Sequence, residues 1–150
     1  MTSSEFYLLA KEKFPFEPTL KQDIVLEQLS AFIFNNSSQV LYVLKGYAGT
    51  GKTTIVGAIV NNLWKAKKSA VLLAPTGRAA KVMSTYSSNE AFTIHKKIYM
   101  PKQNKNGNVD FVMQLNKHKK TIFIVDEASM ISDLPSQSKL FGSGSLLDDL

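Results

Sequence analysis

The 150-residue chain contains no cysteine. Disulfides and thiolate metal centres are therefore excluded, and zinc loses its usual sulfur ligands. No apolar run approaches the roughly 18 residues needed to cross a bilayer, and residues 1–16 lack the continuous apolar stretch of a signal peptide. Together these absences predict a cytoplasmic protein with no membrane partner. No repeat with a period of 20–50 residues is visible. Arginine is almost missing, with Arg78 the single one among 18 basic residues. Acids are scarce in the middle of the chain, where residues 61–120 set eleven lysines and Arg78 against Glu90 and Asp110.

What is present is globular in character. A hydrophobic fraction of 44% with 20% charged residues is ordinary for a folded soluble domain. At this length one core is expected, burying roughly 68–70% of the unfolded surface. The local excess of ten positive charges over residues 61–120 suits a polyanionic partner, because each phosphate contact releases counterions. The same lysines could equally be a solubilising surface, and charge alone does not choose between the two.

Apolar residues at Leu20, Ile24, Val25, Leu29, Phe32 and Ile33 recur at helical spacing after Pro18-Thr19, predicting a helix that ends near Asn35-Asn36. Val40–Leu44 is a short, nearly all-apolar run and predicts a strand covered on both faces. A glycine-rich turn follows, then helical spacing from Lys52 to Lys67, then a second strand over Ala70–Ala74. Short helices are expected over Arg78–Met83 and Thr93–Tyr99, and Asn106-Gly107 marks a small hairpin within residues 100–120. Thr121–Val125 predicts a third buried strand, with Asp126 and Glu127 at its C-terminal end. The stretch from Pro135 to Ser145 is Ser/Gly-rich, and Ser145 to Asp148 has the form of a capping box. A helix starting so near Leu150 is expected not to hold itself, so the sequence reads either as a truncated protein or as one with a frayed tail.

Gly46-Tyr47-Ala48-Gly49-Thr50-Gly51-Lys52-Thr53 fits the pattern G-x-x-x-x-G-K-T between a predicted strand and a predicted helix. Glycines let backbone N–H groups converge on phosphate oxygens, and the following helix adds its positive end. The pattern predicts binding of ATP with Mg2+. Gly46, Ala48, Gly49, Thr50, Gly51, Lys52, Thr53 and Thr54 form the cradle, and Lys52 reaches the β- and γ-phosphates. Thr53 and Asp126 are the expected magnesium groups and Glu127 the candidate base. Two acids at the end of a buried apolar strand are costly without cations or hydrogen bonds, which argues against a merely solvated strand end.

The whole set resembles the first motor domain of the RecD/Dda-type superfamily 1B DNA helicases over nearly all 150 residues. Thr19-Leu20-Lys21-Gln22 resembles that family's Q-motif, Gly46 to Thr54 its first motif, Ala74 to Ala80 its motif Ia, and Asp126 to Met130 its second motif. Thr93-Ile94-His95 resembles motif Ib, and the Lys/Asn-rich hairpin occupies the place of the family's inserted wedge. The resemblance implies an α/β fold, a RecA-like P-loop NTPase domain with a parallel central sheet flanked by helices, incomplete and carrying a small inserted hairpin. Residues 1–36 would form the Q-motif helix region and residues 134–150 a truncated tail. The resemblance also implies that Gln22 bonds the adenine edge. Read from the residues alone, Thr19-x-x-Gln22 is a capping box, and the two roles coexist only in part.

For single-stranded DNA, the resemblance carries backbone contacts to Pro75, Thr76, Arg78, Thr93 and His95, which position a strand without reading its sequence. A packed or solvated histidine is the alternative for His95. Tyr99 and Phe111 offer rings for base stacking, although aromatics at such positions more often belong to the core.

One departure stands out. Related NTPases use an arginine finger worth about 10³–10⁵ in rate, and Arg78 already falls in a DNA motif. The family's third motif is absent too, so further C-terminal helicase domains are expected beyond Leu150. The segment itself is expected to bind nucleotide, to hydrolyse it slowly and not to unwind DNA. The leading reading is the motor domain of an ATP-dependent DNA helicase, moving 5′-to-3′ by resemblance. An ATP-binding switch without turnover and a P-loop kinase of a small substrate are the rivals.

Overall fold

A computed structural model describes residues 1–37, 40–132, 134 and 140–150. The chain divides into two compact units. The first comprises residues 1–70 with residues 86–88 and 120–122, and the second comprises residues 71–85, 89–119 and 123–150.

The first unit is helical. Helix α1, Ser3–Glu12, starts at a capping box in which Thr2 and Glu5 satisfy each other's backbone amides. The sequence reading missed this helix, although Thr2-x-x-Glu5 carries the signal. It buries Phe6 and Ala10, one turn apart, while Phe14 closes the same face just beyond its end. Helix α2, Leu20–Ile33, forms where the sequence predicted it, but its buried face is Leu26, Ser30 and Ile33; of the predicted apolar positions Leu20 and Ile24 are exposed, while Val25 and Leu29 pack half-buried against the core. The Ser30 hydroxyl is satisfied by the Leu26 carbonyl at 2.7 Å, so the buried polar atom is not orphaned. Lys11 and Tyr7 of α1 both bond the Asp23 carboxylate of α2, at 2.8 and 2.7 Å, tying the two helices at their half-buried edge.

Helix α3, Lys52–Val60, packs Ile55, Ala58 and Ile59 into the same core. The predicted helix ran on to Lys67, but the α-helical ladder stops at Asn61. Asn62 turns its side chain back to the Ala58 carbonyl at 2.7 Å, competing for the helix's own backbone, and Leu63–Ala66 continues as a 3-10 turn. Lys67, in the left-handed region at φ 55°, ends it.

Val40–Leu44 is not a strand, which corrects the sequence expectation. Among the described residues it has no sheet partner, and Leu41 is 87% and Val43 62% exposed. Tyr42 instead leans on α2, with its ring 5.7 Å from Phe32 and its hydroxyl 2.9 Å from Gln28 Oε1. An apolar run specifies extension, but a ladder also needs a neighbouring backbone.

The sheet consists of strands β1 (Ser69–Ala74), β2 (Ala91–Thr93) and, after the hairpin, β5 (Thr121–Val125), in the order β2-β1-β5. It is parallel, with Leu72 opposite Ala91 and Ala74 opposite Thr93. The first residues of β1 and β5 count with the first unit, where Ser69 and Thr121 share a hydroxyl hydrogen bond of 2.8 Å. β5 was expected to be buried, yet among the described residues it is a terminal strand of the sheet and leaves Phe123 38% exposed.

Helix α4 spans Gly77–Ser87, longer than the predicted Arg78–Met83; it belongs to the second unit up to Thr85, and its last two residues count with the first. Ala80, Met83 and Ser87 form one buried stripe, which carries the helix through its polar last turn. Helix α5 is Ile94–Ile98, and strands β3 (Tyr99–Gln103) and β4 (Val109–Met113) make the expected antiparallel hairpin. Gly107, at φ 82°, lies in its turn, where the Asn104 side chain accepts from the amides of Asn106 and Asn108. Residues 135–139 of the Ser/Gly-rich tail lie outside the described residues.

The closing element, α6 (Leu146–Asp149), is present, with Ser145 capping it as the sequence pattern implied. Its hold comes from elsewhere in the unit. Tyr99 donates to the buried Asp149 carboxylate at 2.6 Å, and the Ser143 amide donates to the same oxygen at 2.9 Å. Burial and this carboxylate raise the Tyr99 pKa well above the ordinary phenol value. For Asp149, burial pushes upward, but the bonds from Tyr99 and Ser143 outweigh it and hold the carboxyl below its usual range.

Tyr99→Phe and Asp149→Asn should each cost about 1–3 kcal/mol in urea unfolding at neutral pH, and together less than the sum, because one bond is shared. A group with a lowered folded pKa contributes fully above its unfolded value, so the Asp149 contribution should fade only as acid passes below the ordinary carboxylate range. Fully additive losses would show that the two groups act separately.

Candidate functional site

The predicted phosphate loop lies in the first unit, between residue 44 and α3. Gly49 and Gly51 take left-handed conformations, at φ 76° and 85°, which a side chain would strain. Thr50 closes the turn on the Tyr47 carbonyl through its hydroxyl at 2.8 Å. A Cβ at Gly46 would approach that hydroxyl to 2.8 Å, so this glycine is required by space and not by φ. Gly51 is the N-cap of α3, whose first helical bond runs from the Ile55 amide to the Gly51 carbonyl at 3.0 Å. The amides of Lys52, Thr53 and Thr54 therefore precede the helical ladder, at the helix's positive end.

Lys52 folds back over this turn. Its ammonium donates to the carbonyls of Gly46 and Tyr47, at 2.6 and 2.9 Å. Two carbonyl oxygens are weak partners for a cation compared with phosphate oxygens, so the group is held in place by contacts that an anion can replace. Ala48 and Thr53 are exposed, and Thr54 is half-buried. Thr53 and Thr54 also line a cavity of about 450 Å³, together with Lys13, Pro15, Asn61 and Tyr86 of the same unit. That volume lies within the range of about 300–1,000 Å³ common for small-molecule sites.

Gln22 sits against the loop. Its Oε1 accepts from the Thr19 amide at 2.9 Å, and its Nε2 donates to the Thr50 carbonyl at 3.2 Å. The capping box is therefore formed, and one lone pair and one N–H of the amide are left for any other partner.

Asp126 and Glu127 follow β5 in the second unit. The Asp126 amide continues the sheet by donating to the Leu73 carbonyl at 3.0 Å, and Asp126 is half-buried. Glu127 is exposed and left-handed, at φ 53°, a conformation that costs a non-glycine residue roughly 1–2 kcal/mol. Its amide is held by Asp126 Oδ1 at 2.9 Å, and its carbonyl starts the 3-10 turn Ala128–Met130. Strain of this kind concentrates at working sites. No group of three or more His, Cys, Asp or Glu able to hold a metal occurs among the described residues. A magnesium ion carried largely by phosphate oxygens and water requires none; the Thr53 hydroxyl in the first unit and the Asp126 carboxylate in the second are each, taken singly, oxygen groups of the kind that ion takes.

The five residues predicted to contact DNA all fall in the second unit. Thr76 caps α4 by accepting the Ala79 amide at 3.2 Å, and Thr93 caps α5 by accepting the Lys96 amide at 3.2 Å. Arg78 is exposed in the first turn of α4. His95 is half-buried against the Tyr99 and Phe141 rings, at 5.8 and 5.1 Å. Pro75, Thr76 and His95 line one cavity of about 340 Å³, bounded also by Met130 and Ile131. Arg78 and Thr93 are not among its lining residues.

The two aromatic candidates for base stacking are engaged elsewhere. Tyr99 is 4% exposed and bonded to Asp149, and the Phe111 ring stacks on Phe141 at 4.5 Å. Phe141 organises this cluster but went unread in the sequence, where it stands alone in a Ser/Gly-rich tail without periodicity.

A family model for the AAA domain matches residues 28–145. Neither a curated protein nor a solved structure matches the chain. Gln22 lies outside the matched segment, while the phosphate loop, α3, the sheet and the acidic pair lie within it. A left-handed glycine turn opening onto a helix, a lysine folded over it and a parallel sheet ending in acids accompany that match, and the chain belongs to the AAA domain family of P-loop NTPases.

Proposed function

We propose that this chain is the nucleotide-binding motor domain of an ATP-dependent DNA helicase. The observation that carries the nucleotide part is the loop itself, with its left-handed Gly49 and Gly51, the amides at the start of α3, and Lys52 held over them by two carbonyls. The helicase part is supported by the sequence resemblance described above and by the occurrence of AAA domains of this type in UvrD/RecD-like helicases.

In this reading the amides of Lys52, Thr53 and Thr54 receive the phosphate oxygens of ATP. The Lys52 ammonium exchanges the Gly46 and Tyr47 carbonyls for β- and γ-phosphate oxygens. Magnesium, held by Thr53 and Asp126, would neutralise charge on the same phosphates. Glu127 serves as the base that orients the attacking water. Pro75, Thr76, Arg78, Thr93 and His95 hold a single strand by its backbone, with movement 5′-to-3′ by resemblance. Because Arg78 is the chain's single arginine and is assigned to the strand, hydrolysis would be slow without an arginine supplied by further helicase domains.

Lys52→Ala should weaken Mg·ATP binding about 10- to 150-fold, the loss expected for one hydrogen bond to a charged group, measured by calorimetry. Unchanged affinity would overturn the loop as the phosphate site. Asp126→Asn should reduce the dependence of ATP affinity on magnesium, and an unchanged dependence would remove Asp126 from the metal's surroundings.

Binding to a single-stranded oligonucleotide should weaken steeply with salt and show little sequence preference. Arg78→Ala should lower the salt slope by about one. Affinity independent of salt would reject the strand reading and favour a P-loop enzyme acting on a small substrate.

A further inference from the structure

The turn that follows α3 brings an aromatic ring and several cations to the surface of the first unit. At α-helical spacing Val60, Leu63 and Trp64 would share one buried face. The ladder stops at Asn61, however, and a 3-10 turn follows, so that Leu63 and Ala66, three residues apart, turn to the core while Trp64 is left 69% exposed. The chain's single tryptophan is thus held out in water, although a side chain of this size is usually largely buried. Lys65 lies beside it, with its ammonium 5.5 Å from the ring centroid.

Two further lysines gather at the same turn. Lys67 ends it, and the Ser69 amide donates to the Lys120 carbonyl at 3.2 Å, which sets Lys120 beside Ser69 from far along the chain. Lys67 and Lys120 are both exposed and left-handed, at φ 55° and 52°, where glycine would meet no strain. Lys68 serves the fold instead, since its ammonium donates to the Ile33 carbonyl and lies 5.8 Å from the Phe34 ring. Among the described residues, Lys65, Lys67 and Lys120 form no ion pair with a carboxylate. The sequence offers little local counter-charge, because residues 28–89 contain no acid at all. Trp64 and these three lysines all belong to the first unit.

We propose that Trp64, Lys65, Lys67 and Lys120 form a contact surface for single-stranded nucleic acid, with one base stacked on the indole and the adjoining phosphates on the lysines. This surface goes beyond the strand contacts assigned to the second unit and uses none of those residues. Three unpaired cations around one turn suit a ligand whose negative charge repeats along its length. Charge alone would suit an acidic protein segment equally well. The indole decides between the two, because a single strand offers a flat, unstacked base next to each phosphate, whereas carboxylate side chains offer the ring no face. A duplex covers its base faces and leaves the indole without a partner. Phosphates and ring faces are common to all bases, so the surface carries little sequence preference.

Because Trp64 is the single tryptophan, its fluorescence reports this surface directly. The test titrates the parent chain with an oligothymidylate of about 16 nucleotides, with the same strand paired in a duplex, and with polyglutamate, following Trp64 emission. Parallel samples follow the anisotropy of the end-labelled oligonucleotide. Saturable quenching by the single strand, and by neither of the other two, is expected. Lys67→Gly combined with Lys120→Gly should melt near the parent temperature, since glycine suits both torsions. At about 0.1 M salt the half-quenching concentration of this double variant should rise about fivefold for each lysine lost, and the salt slope should fall by about 0.7 for each. Arg78→Ala, which bears on the second unit's contacts, should leave the quenching amplitude at saturation unchanged.

Single-strand binding seen by anisotropy without quenching would put the strand elsewhere on the chain and overturn the proposal, with the second unit's contacts left standing. Equal quenching by the duplex removes the stacked base, and equal quenching by polyglutamate makes the partner an acidic segment; either result overturns it. So does an unchanged affinity of the double glycine variant. If the oligonucleotide binds by neither signal, this surface and the strand reading of the second unit fall together. Quenching that persists while Arg78→Ala alters neither affinity nor salt slope sinks only the latter.

Discussion

The backbone at Gly51 must be left-handed for α3 to start where it does, and most of the candidate site depends on that one torsion. At φ 85° the chain reverses just before Lys52, so the helix opens with three amides ahead of its hydrogen-bond ladder and with the lysine placed to fold over the turn. A side chain at this position would be strained by the torsion and would have to displace the end of the Gln22 side chain. Helix packing fixes where this happens. Ile55 and Ile59 of α3 join Phe6, Leu26 and Ile33 in one apolar core, which gives the loop a rigid support on its helical side.

Several side chains with candidate functional roles also hold local structure. Thr76 and Thr93 cap helices, Gln22 completes a capping box, and Asp126 holds the strained Glu127 amide. The overlap has a chemical origin. A short side chain with an oxygen can satisfy an orphan helix amide, and the helix starts so capped are where amides and the positive end of the helix dipole face anions. Capping and phosphate recognition call for similar residues at similar positions, and the sequence pattern by itself does not separate them.

The second unit shows a related economy around Tyr99. Its ring takes part in the cluster of His95 and Phe141, while its hydroxyl anchors Asp149 and with it the short α6. A four-residue helix has no stability of its own, and it persists here because a carboxylate with two donors is buried in the unit. Pro75, Thr76 and His95 come together in this unit across a separation of twenty residues in the chain, through the parallel register of β1 and β2.

By itself the sequence determined much of what depends on local spacing, although the Thr2 and Glu5 capping box of α1 went unread. The glycine turn before α3, the position and capping box of α2, β1, and the Asn106-Gly107 hairpin could all be read because φ preference, capping and turn chemistry act within a few residues, whereas the face that α2 buries could not. Three features waited for tertiary structure, because each depends on a partner distant in the chain. Val40–Leu44 has the composition of a strand, but a ladder forms only where another backbone lies alongside, and its Tyr42 packs on α2 instead. Phe141 and Asp149 gain their importance from Phe111 and Tyr99. Gln22 could be read either as a cap or as a base contact, and only the position of the Thr50 carbonyl showed what its second hydrogen-bonding group meets.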